Sequence, residues 1–210
     1  LLFDMLGSAR PNYGWLSEET EDDQKRLGAE HCFVIDPIDG TRSFIAGEKT
    51  WAHSLAITTG SNVTAAVIAL PMLGLTYSAE QGSGAFLNQQ AINVSDCRQL
   101  DDATVLAAKP ALDAQNWRLP LPAGLQRRHK PSLAYRMALV AQGEFDAMIT
   151  LRDTWDWDIC AGALIAAEAG ARVSDKAGNP LSFNRSEVTS SGVLVASPPL
   201  HQQFKDALDL

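Results

Sequence analysis

Hydrophobic and polar positions divide the chain into two halves of different character. Leu1, Leu2, Met5 and Leu6 share one helical face, and the Arg10-Pro11-Asn12 turn closes that segment. The run Cys32-Phe33-Val34-Ile35 is short and partly β-branched, which predicts a buried strand ending abruptly at Asp36-Pro37. Strand-like runs follow at 51–58, 63–70 and 75–79, joined by Thr59-Gly60-Ser61-Asn62 and Pro71-Met72-Leu73-Gly74, both rich in turn formers. Links that short make antiparallel neighbours. Further on, strands near 104–108, 145–150 and 192–196 alternate with helices near 132–142, 155–169 and 199–208, an α/β rhythm. The pattern therefore predicts an antiparallel-sheet half over 1–96 and an α/β half over 97–210. Because the chain starts inside a helical pattern and without Met, an N-terminal segment of the natural protein is expected to be missing.

Composition narrows the function. With 46% hydrophobic and 20% charged residues over 210 positions, the chain has the makeup of a globular protein. No apolar run is long enough to cross a bilayer, so no membrane partner is expected. Three scattered cysteines, Cys32, Cys97 and Cys160, argue against a disulfide framework or a thiolate zinc site and point to a reducing compartment, the cytoplasm. A net charge of −8 disfavours a nucleic-acid polymer as partner, which needs a basic footprint. It is compatible with a phosphorylated small molecule, because divalent cations invert the field where acidic side chains gather.

Candidate chemistry concentrates in Asp36-Pro37-Ile38-Asp39-Gly40-Thr41. Pro37 presets a turn, and the ends of a turn lie within about 7 Å, so the Asp36 and Asp39 carboxylates can converge. Carboxylates that close repel unless a cation is shared, and an all-oxygen set suits Mg²⁺, Mn²⁺ or Ca²⁺. The Ile38 carbonyl is a further candidate oxygen. Gly40 permits close backbone approach, and a short helical turn over 41–46 would turn free N–H groups toward an anion. Without a cation, the same stretch is an ordinary strand-ending turn with solvated carboxylates. Upstream lies the acidic run from Glu18 to Asp23, in which Glu21, Asp22 and Asp23 read as a solvated loop. Downstream, Trp155-Asp156-Trp157-Asp158 opens a helix, with Asp156 a good N-cap and Asp158 in the first turn. The small residues 161–163 predict close packing against a neighbouring helix.

Leu16-Ser17-Glu18-Glu19, Ile35 to Phe44 and Trp157-Asp158…Glu168-Ala169-Gly170 together resemble the three signature blocks of the inositol monophosphatase superfamily, in order and over nearly the whole chain. The resemblance implies a layered α-β-α-β-α sandwich, often a homodimer. It implies a Mg²⁺-dependent phosphomonoesterase using metal-activated water, with two or three ions and a small phosphorylated metabolite as substrate. The metal ligands would be Glu18, Asp36, the Ile38 carbonyl, Asp39 and Asp158. Glu19 and Thr41 would be catalytic, Glu19 through water and Thr41 with an Asp expected upstream of Leu1. Asp39, Gly40 and Thr41 would hold the phosphate.

Within the superfamily, Arg42, the Leu-Ser-Glu-Glu opening and the Trp-Asp-Trp-Asp run look like the branch that cleaves 3′(2′),5′-bisphosphate nucleotides. Leu151 stands where inositol phosphatases place an acidic residue, with Asp153 nearby. A second phosphate needs cations, and Arg127, Arg128, His129 and Lys130 form the basic cluster, followed by Pro131-Ser132 where relatives have Gly-Ser. Arg127, Arg128, Lys130 and Ser132 are thus the expected substrate contacts; the other reading of the cluster is a solvated loop. Alternatives are an inositol-1-monophosphatase or histidinol-phosphatase, and, in a different class, a regulatory binding protein that keeps the fold. A haloacid-dehalogenase mechanism fits less well, because its two aspartates are one residue apart and Asp36 and Asp39 are separated by two. His31, His53 and His201 read as structural or surface groups, and Trp51, Trp117, Trp155 and Trp157 as core or loop anchors.

Overall fold

The computed structural model describes residues 1–209. A first sheet has seven strands in sequence order: β1 (Gly14–Ser17), β2 (His31–Asp39), β3 (Ala52–Thr59), β4 (Asn62–Leu70), β5 (Leu75–Glu80), β6 (Ala85–Leu87) and β7 (Gln90–Ile92). β1 runs parallel to β2 and the remaining pairs are antiparallel. α1 (Leu2–Ala9) and the short α2 (Thr41–Ile45) flank this half. A second sheet of five strands joins β8 (Thr104–Ala107), β9 (Gln126–Arg128), β10 (Ala147–Thr150), β12 (Arg172–Ser174) and β14 (Val193–Ala196) in the order β12-β14-β10-β8-β9. A small ladder pairs β11 (Thr154–Trp155) with β13 (Thr189–Ser190).

Helices α3 (Leu133–Ala141) and α4 (Asp156–Glu168) lie between the sheets, while α5 (Pro198–Ala207) covers the far face of the second. Side-chain parity shows the layering. Val193 and Val195 of β14 enter the core shared with α3 and α4, and Leu194 and Ala196 enter the core under α5. On the first sheet, Ala52, Ala56, Ala66 and Ile68 meet α4, and Leu6 of α1 lies with Phe33, Leu55 and Val67 on the opposite face. With α1 outside the first sheet, the order is α-β-α-β-α, as the resemblance implied.

The three long strand runs and three helices expected of the chain form within about two residues of the predicted bounds. Seven strands are additional, among them β11, β12 and β13 in the second half. β1 lies in what read as the approach to an acidic loop, β6 and β7 extend the first sheet, and Arg127-Arg128 belongs to edge strand β9 rather than a loop. Each is four residues or fewer, too short for periodicity to register. The α/β rhythm of the second half also conceals mixed direction: β8 runs parallel to β9 and β10, whereas β14 is antiparallel to β10 and β12. Among the described residues, no helix is long and apolar enough to cross a membrane.

The packing of α3 on α4 depends on Gly162, as the run of small residues predicted. A Cβ there would fall 2.7 Å from Met137 Cβ and 2.8 Å from its sulfur. Helix propensity alone favours Gly162→Ala by about 1 kcal/mol. Overpacking against a Cβ that cannot rotate away costs about 1–3 kcal/mol. Gly162→Ala is therefore expected to lower stability in denaturant unfolding; a gain would show that the helices can part without cost.

Candidate metal and phosphate site

β2 does not stop at Asp36-Pro37 but continues to Asp39, and this corrects the turn geometry expected of the motif. Asp36 is paired with Ser54 and Asp39 with Ala52, so three steps along β2 answer two along β3. The extra residue is a β-bulge. Its consequence is one of parity. Successive strand side chains point to opposite faces, so residues three apart would be separated by the sheet. The bulge restores both aspartates to the inner face, where Cys32 and Val34 already point toward α4.

One carboxylate oxygen from each of Asp36, Asp39 and Asp158 lies within 4.8 Å of the others, a grouping that could hold a cation. Asp39 is anchored most firmly. Its Oδ2 accepts from Ser132 Oγ at 2.5 Å and from the Ala134 N–H at 2.7 Å, and its Oδ1 accepts from the Leu133 N–H at 3.4 Å. The carboxylate thereby meets the open amides of α3. Ser132, expected to touch substrate, is buried instead; its hydroxyl caps α3 by accepting from Tyr135 and supports Asp39. Asp36 accepts from the Ile38 N–H at 2.8 Å. Asp158 is brought in by the first turn of α4, where the Trp157 carbonyl accepts from Ser54 Oγ at 3.0 Å. Ser54 is the register partner of Asp36, so one pair of strands aligns both carboxylates.

Electrostatics match a cation site. Burial, then the neighbouring Asp39 charge, raises Asp36, and the bond from Ile38 only partly offsets them. Burial also pushes Asp158 up to about 7, with Asp39 and Glu18 adding repulsion and Arg152 opposing it. For Asp39, burial raises the pKa against the donors Ser132, Ala134 and Leu133. Clustered acids that resist ionising in isolation are what a divalent cation would relieve. Glu18 stands at the exposed start of its loop, within electrostatic reach of Asp36 and Asp158, and Glu19 is exposed beside it.

Past the bulge, Gly40 adopts φ 91, a left-handed conformation open to glycine, and caps α2. Thr41 Oγ1 donates to the Ile38 carbonyl at 3.1 Å, and His53 Nδ1 contacts the Pro37 carbonyl. His53 thus braces the bulge, a structural role. Among the described residues the Thr41 and Arg42 N–H groups have no backbone or side-chain acceptor.

Other expectations are corrected or refined. Asp156 is not the N-cap of α4; Trp155 is, without a side-chain bond, and Asp156 is the first helical residue, its Oδ2 accepting from the Asn184 N–H at 2.9 Å. Asp22 is half-buried and not a free loop carboxylate, because it forms an ion pair with buried Arg26. Trp155 is no core anchor: it is 46% exposed and stacks on Trp157. Arg127 donates to the Ala107 carbonyl, Arg128 to Gln126 and the Arg127 carbonyl, and Lys130 is half-buried. Leu151 packs on the α5 side, and Asp153 is exposed.

Two cations near the carboxylates escaped the sequence reading. Arg136, buried in α3, holds His129 Nε2 at 2.9 Å and the Lys130 carbonyl, and lies within electrostatic reach of Asp39. Arg152, exposed and unpaired among the described residues, acts on both Asp158 and Arg136. An isolated arginine carries no spacing signal. That the second follows a parallel strand ending at the site was its one available hint.

A model of the family described as "Inositol monophosphatase family" matches residues 1–208. The chain is 36% identical to an inositol-1-monophosphatase of Rhizobium meliloti (strain 1021), over 82% of this chain and 67% of that protein. It is 32% identical to a 3′-phosphoadenosine 5′-phosphate phosphatase of Mycobacterium leprae (strain TN), over 88% and 69%. Among solved structures, the extragenic suppressor protein suhB of Bartonella henselae superposes with a TM-score of 0.82 at 30% identity, over 98% of this chain and 83% of that one. A match that runs from the first helix to the last, together with identity at this level, shows that the chain belongs to the inositol monophosphatase family.

Proposed function

We propose that the chain hydrolyses the phosphomonoester of a small metabolite with Mg²⁺ at the Asp36, Asp39 and Asp158 carboxylates. The observation that carries this reading is the convergence of those three side chains within 4.8 Å in a largely buried layer. All-oxygen donors on hard carboxylates fit Mg²⁺, with Glu18 and the Ile38 carbonyl as further ligands and two or three ions in all. When bound, Mg²⁺ would supply charge neutralisation at the phosphate and a more acidic water.

The chain's own groups would do the positioning. Asp39, held by Ser132 and the α3 amides, keeps its oxygens aimed at the cluster. Gly40 and Thr41 offer N–H groups to phosphate oxygens, and no Cβ at Gly40 narrows the approach. The Thr41 hydroxyl, now on the Ile38 carbonyl, can exchange that acceptor for water, and Glu19 would orient a second water. The favoured substrate is a 3′(2′),5′-bisphosphate nucleotide. Arg152, exposed, within electrostatic reach of Asp158 and unpaired among the described residues, and the Arg127, Arg128 and Lys130 stretch would offer a second phosphate its counter-charge. An inositol monophosphate is the second reading, supported by the 36% identical relative named inositol-1-monophosphatase.

Phosphate release is to be measured from adenosine 3′,5′-bisphosphate, inositol 1-phosphate and histidinol phosphate, each with Mg²⁺ or EDTA. Mg²⁺-dependent cleavage of the bisphosphate well above the others is expected. Preference for inositol 1-phosphate would reverse the two readings, and equal rates in EDTA would end both.

Asp36→Asn separates charge from fold. Loss of outer partners of a metal costs roughly 10–100-fold, so loss of a shared ligand should cut turnover by more than about 100-fold. In EDTA at pH 8 the same variant should melt higher than wild type, since it removes a repelled buried charge. Near-normal turnover would exclude a ligand role.

The pH dependence of the metal-free protein follows from the raised carboxylates. Asp158 titrates near 7 when folded against an ordinary 3.8. The unfolded chain therefore loses that proton first, and stability present below about pH 4 declines as pH rises toward 7. Melting in EDTA should fall from pH 5 to pH 8, and Mg²⁺ should abolish the fall. A rise with pH in EDTA would contradict it.

A further inference from the structure

Segments far apart in the chain meet at one buried guanidinium. Arg26 is 3% exposed and sits in the 3₁₀ turn Lys25–Gly28 that follows the acidic loop. Its Nε and Nη2 donate to Asp22 Oδ1 and Oδ2 at 3.0 and 2.7 Å, a two-pronged pair. Nη1 donates to Asn184 Oδ1 at 2.7 Å, and Nη2 also donates to the Arg185 carbonyl at 2.8 Å. The Asn184 N–H in turn reaches Asp156 Oδ2 at 2.9 Å.

Each joint of this chain of bonds demands its residue type. Asn184 has φ 53, a left-handed conformation that asparagine tolerates better than most side chains. Gly14 admits the turn against β1, since a Cβ there would fall 2.7 Å from Arg26 Cβ. The planar fork of arginine serves Asp22, Asn184 and Arg185 at once, which a point-charge ammonium cannot.

The placement matters because of what lies at the two ends. Asp22 follows Glu19 by three residues, and Asp156 precedes Asp158 by two. Within the loop, the backbone bond from Thr20 to Ser17 is its tie to β1, and further bonds from Gln24 and Lys25 go to the loop's own Asp22 and Asp23. Arg26 carries the tie to the other side of the site.

We infer that Arg26 is a positioning residue that sets the separation between the Glu18-Glu19 loop and the first turn of α4, acting through Asp22 on one side and through Asn184 and Asp156 on the other. The inference rests on the proposal that the carboxylate cluster binds a divalent cation. A ligand set held at fixed spacing binds its cation without first being ordered, and outer partners of this kind set affinity as well as rate.

The test uses the full chain with Arg26→Gln, Arg26→Lys, Asn184→Ala and, in the distant α5-side core, Trp117→Phe. Mg²⁺ binding is followed by calorimetry, alongside kcat and KM at saturating Mg²⁺ and melting in EDTA. Arg26→Gln should weaken Mg²⁺ binding about 10-fold and lower kcat, with substrate KM little changed. Arg26→Lys should recover only part of the loss. Trp117→Phe should lower the melting temperature and leave Mg²⁺ binding intact, separating stability from positioning. Should Arg26→Gln fail to fold, Asn184→Ala decides on the same readouts, because it cuts one link and keeps the Asp22 pair. The inference is overturned if the variants melt lower yet bind Mg²⁺ and turn over as wild type does. A wild-type protein that binds no Mg²⁺ in calorimetry would refute the cation site itself, and the positioning role with it.

Discussion

Repulsion among like-charged carboxylates, gathered in a largely buried layer, is the constraint on which the rest of the arrangement depends. Asp36 and Asp39 are 2% and 6% exposed, and no basic side chain forms an ion pair with either among the described residues. Burying charge in this way is costly unless donors or a cation compensate. The protein supplies part of that compensation from its backbone. The amides that open α3 close on Asp39, and the Ile38 amide closes on Asp36. What the backbone leaves uncompensated is the charge that a bound cation could offset.

That compensation requires two helices to begin at the same place, and the second sheet arranges it. β8, β9 and β10 run parallel, so their carboxyl ends share one edge. β9 leads through 129–132 into α3, and β10 leads through 151–155 into α4. Open α/β sheets place ligand sites at that edge for the same reason. Here the edge faces the bulged strand of another sheet, and the site forms between the two. α4 is held at both ends, by Ser54 at its start and at its finish by Glu168, whose carboxylate accepts from Gly82 and Gly84. Small residues let α3 and α4 fit in one layer.

Much of this was legible in the chain. The strand runs of the first sheet and the helices α3, α4 and α5 announce themselves through periodicity, Asp36 and Asp39 through close spacing, and Asp158 through the resemblance to the family. Asp36 and Asp39 could be paired because they are near neighbours in sequence, although the geometry invoked was a turn and the structure makes it a bulge. The parity argument needs the register with β3, which is a property of two strands and not of one. Asp22 read as part of a solvated loop, although Arg26 stands four residues on. Nothing in that spacing revealed that Arg26 would be buried, since its other partners, Asn184 and Arg185, lie more than 150 residues away.

By itself, then, the sequence determined which residues can do chemistry, which family they resemble and where the regular elements form, because these depend on side-chain type and local periodicity. The tertiary structure decided which of those residues meet. Ser132 became a support for Asp39 and not a substrate contact, because the N-terminus of α3 lands on the bulge. Asp156 became a link in the Arg26 network and not a cap, because the loop carrying Asn184 closes over the start of α4. Burial and direction are set by neighbours distant in the chain, and no window of sequence contains both partners.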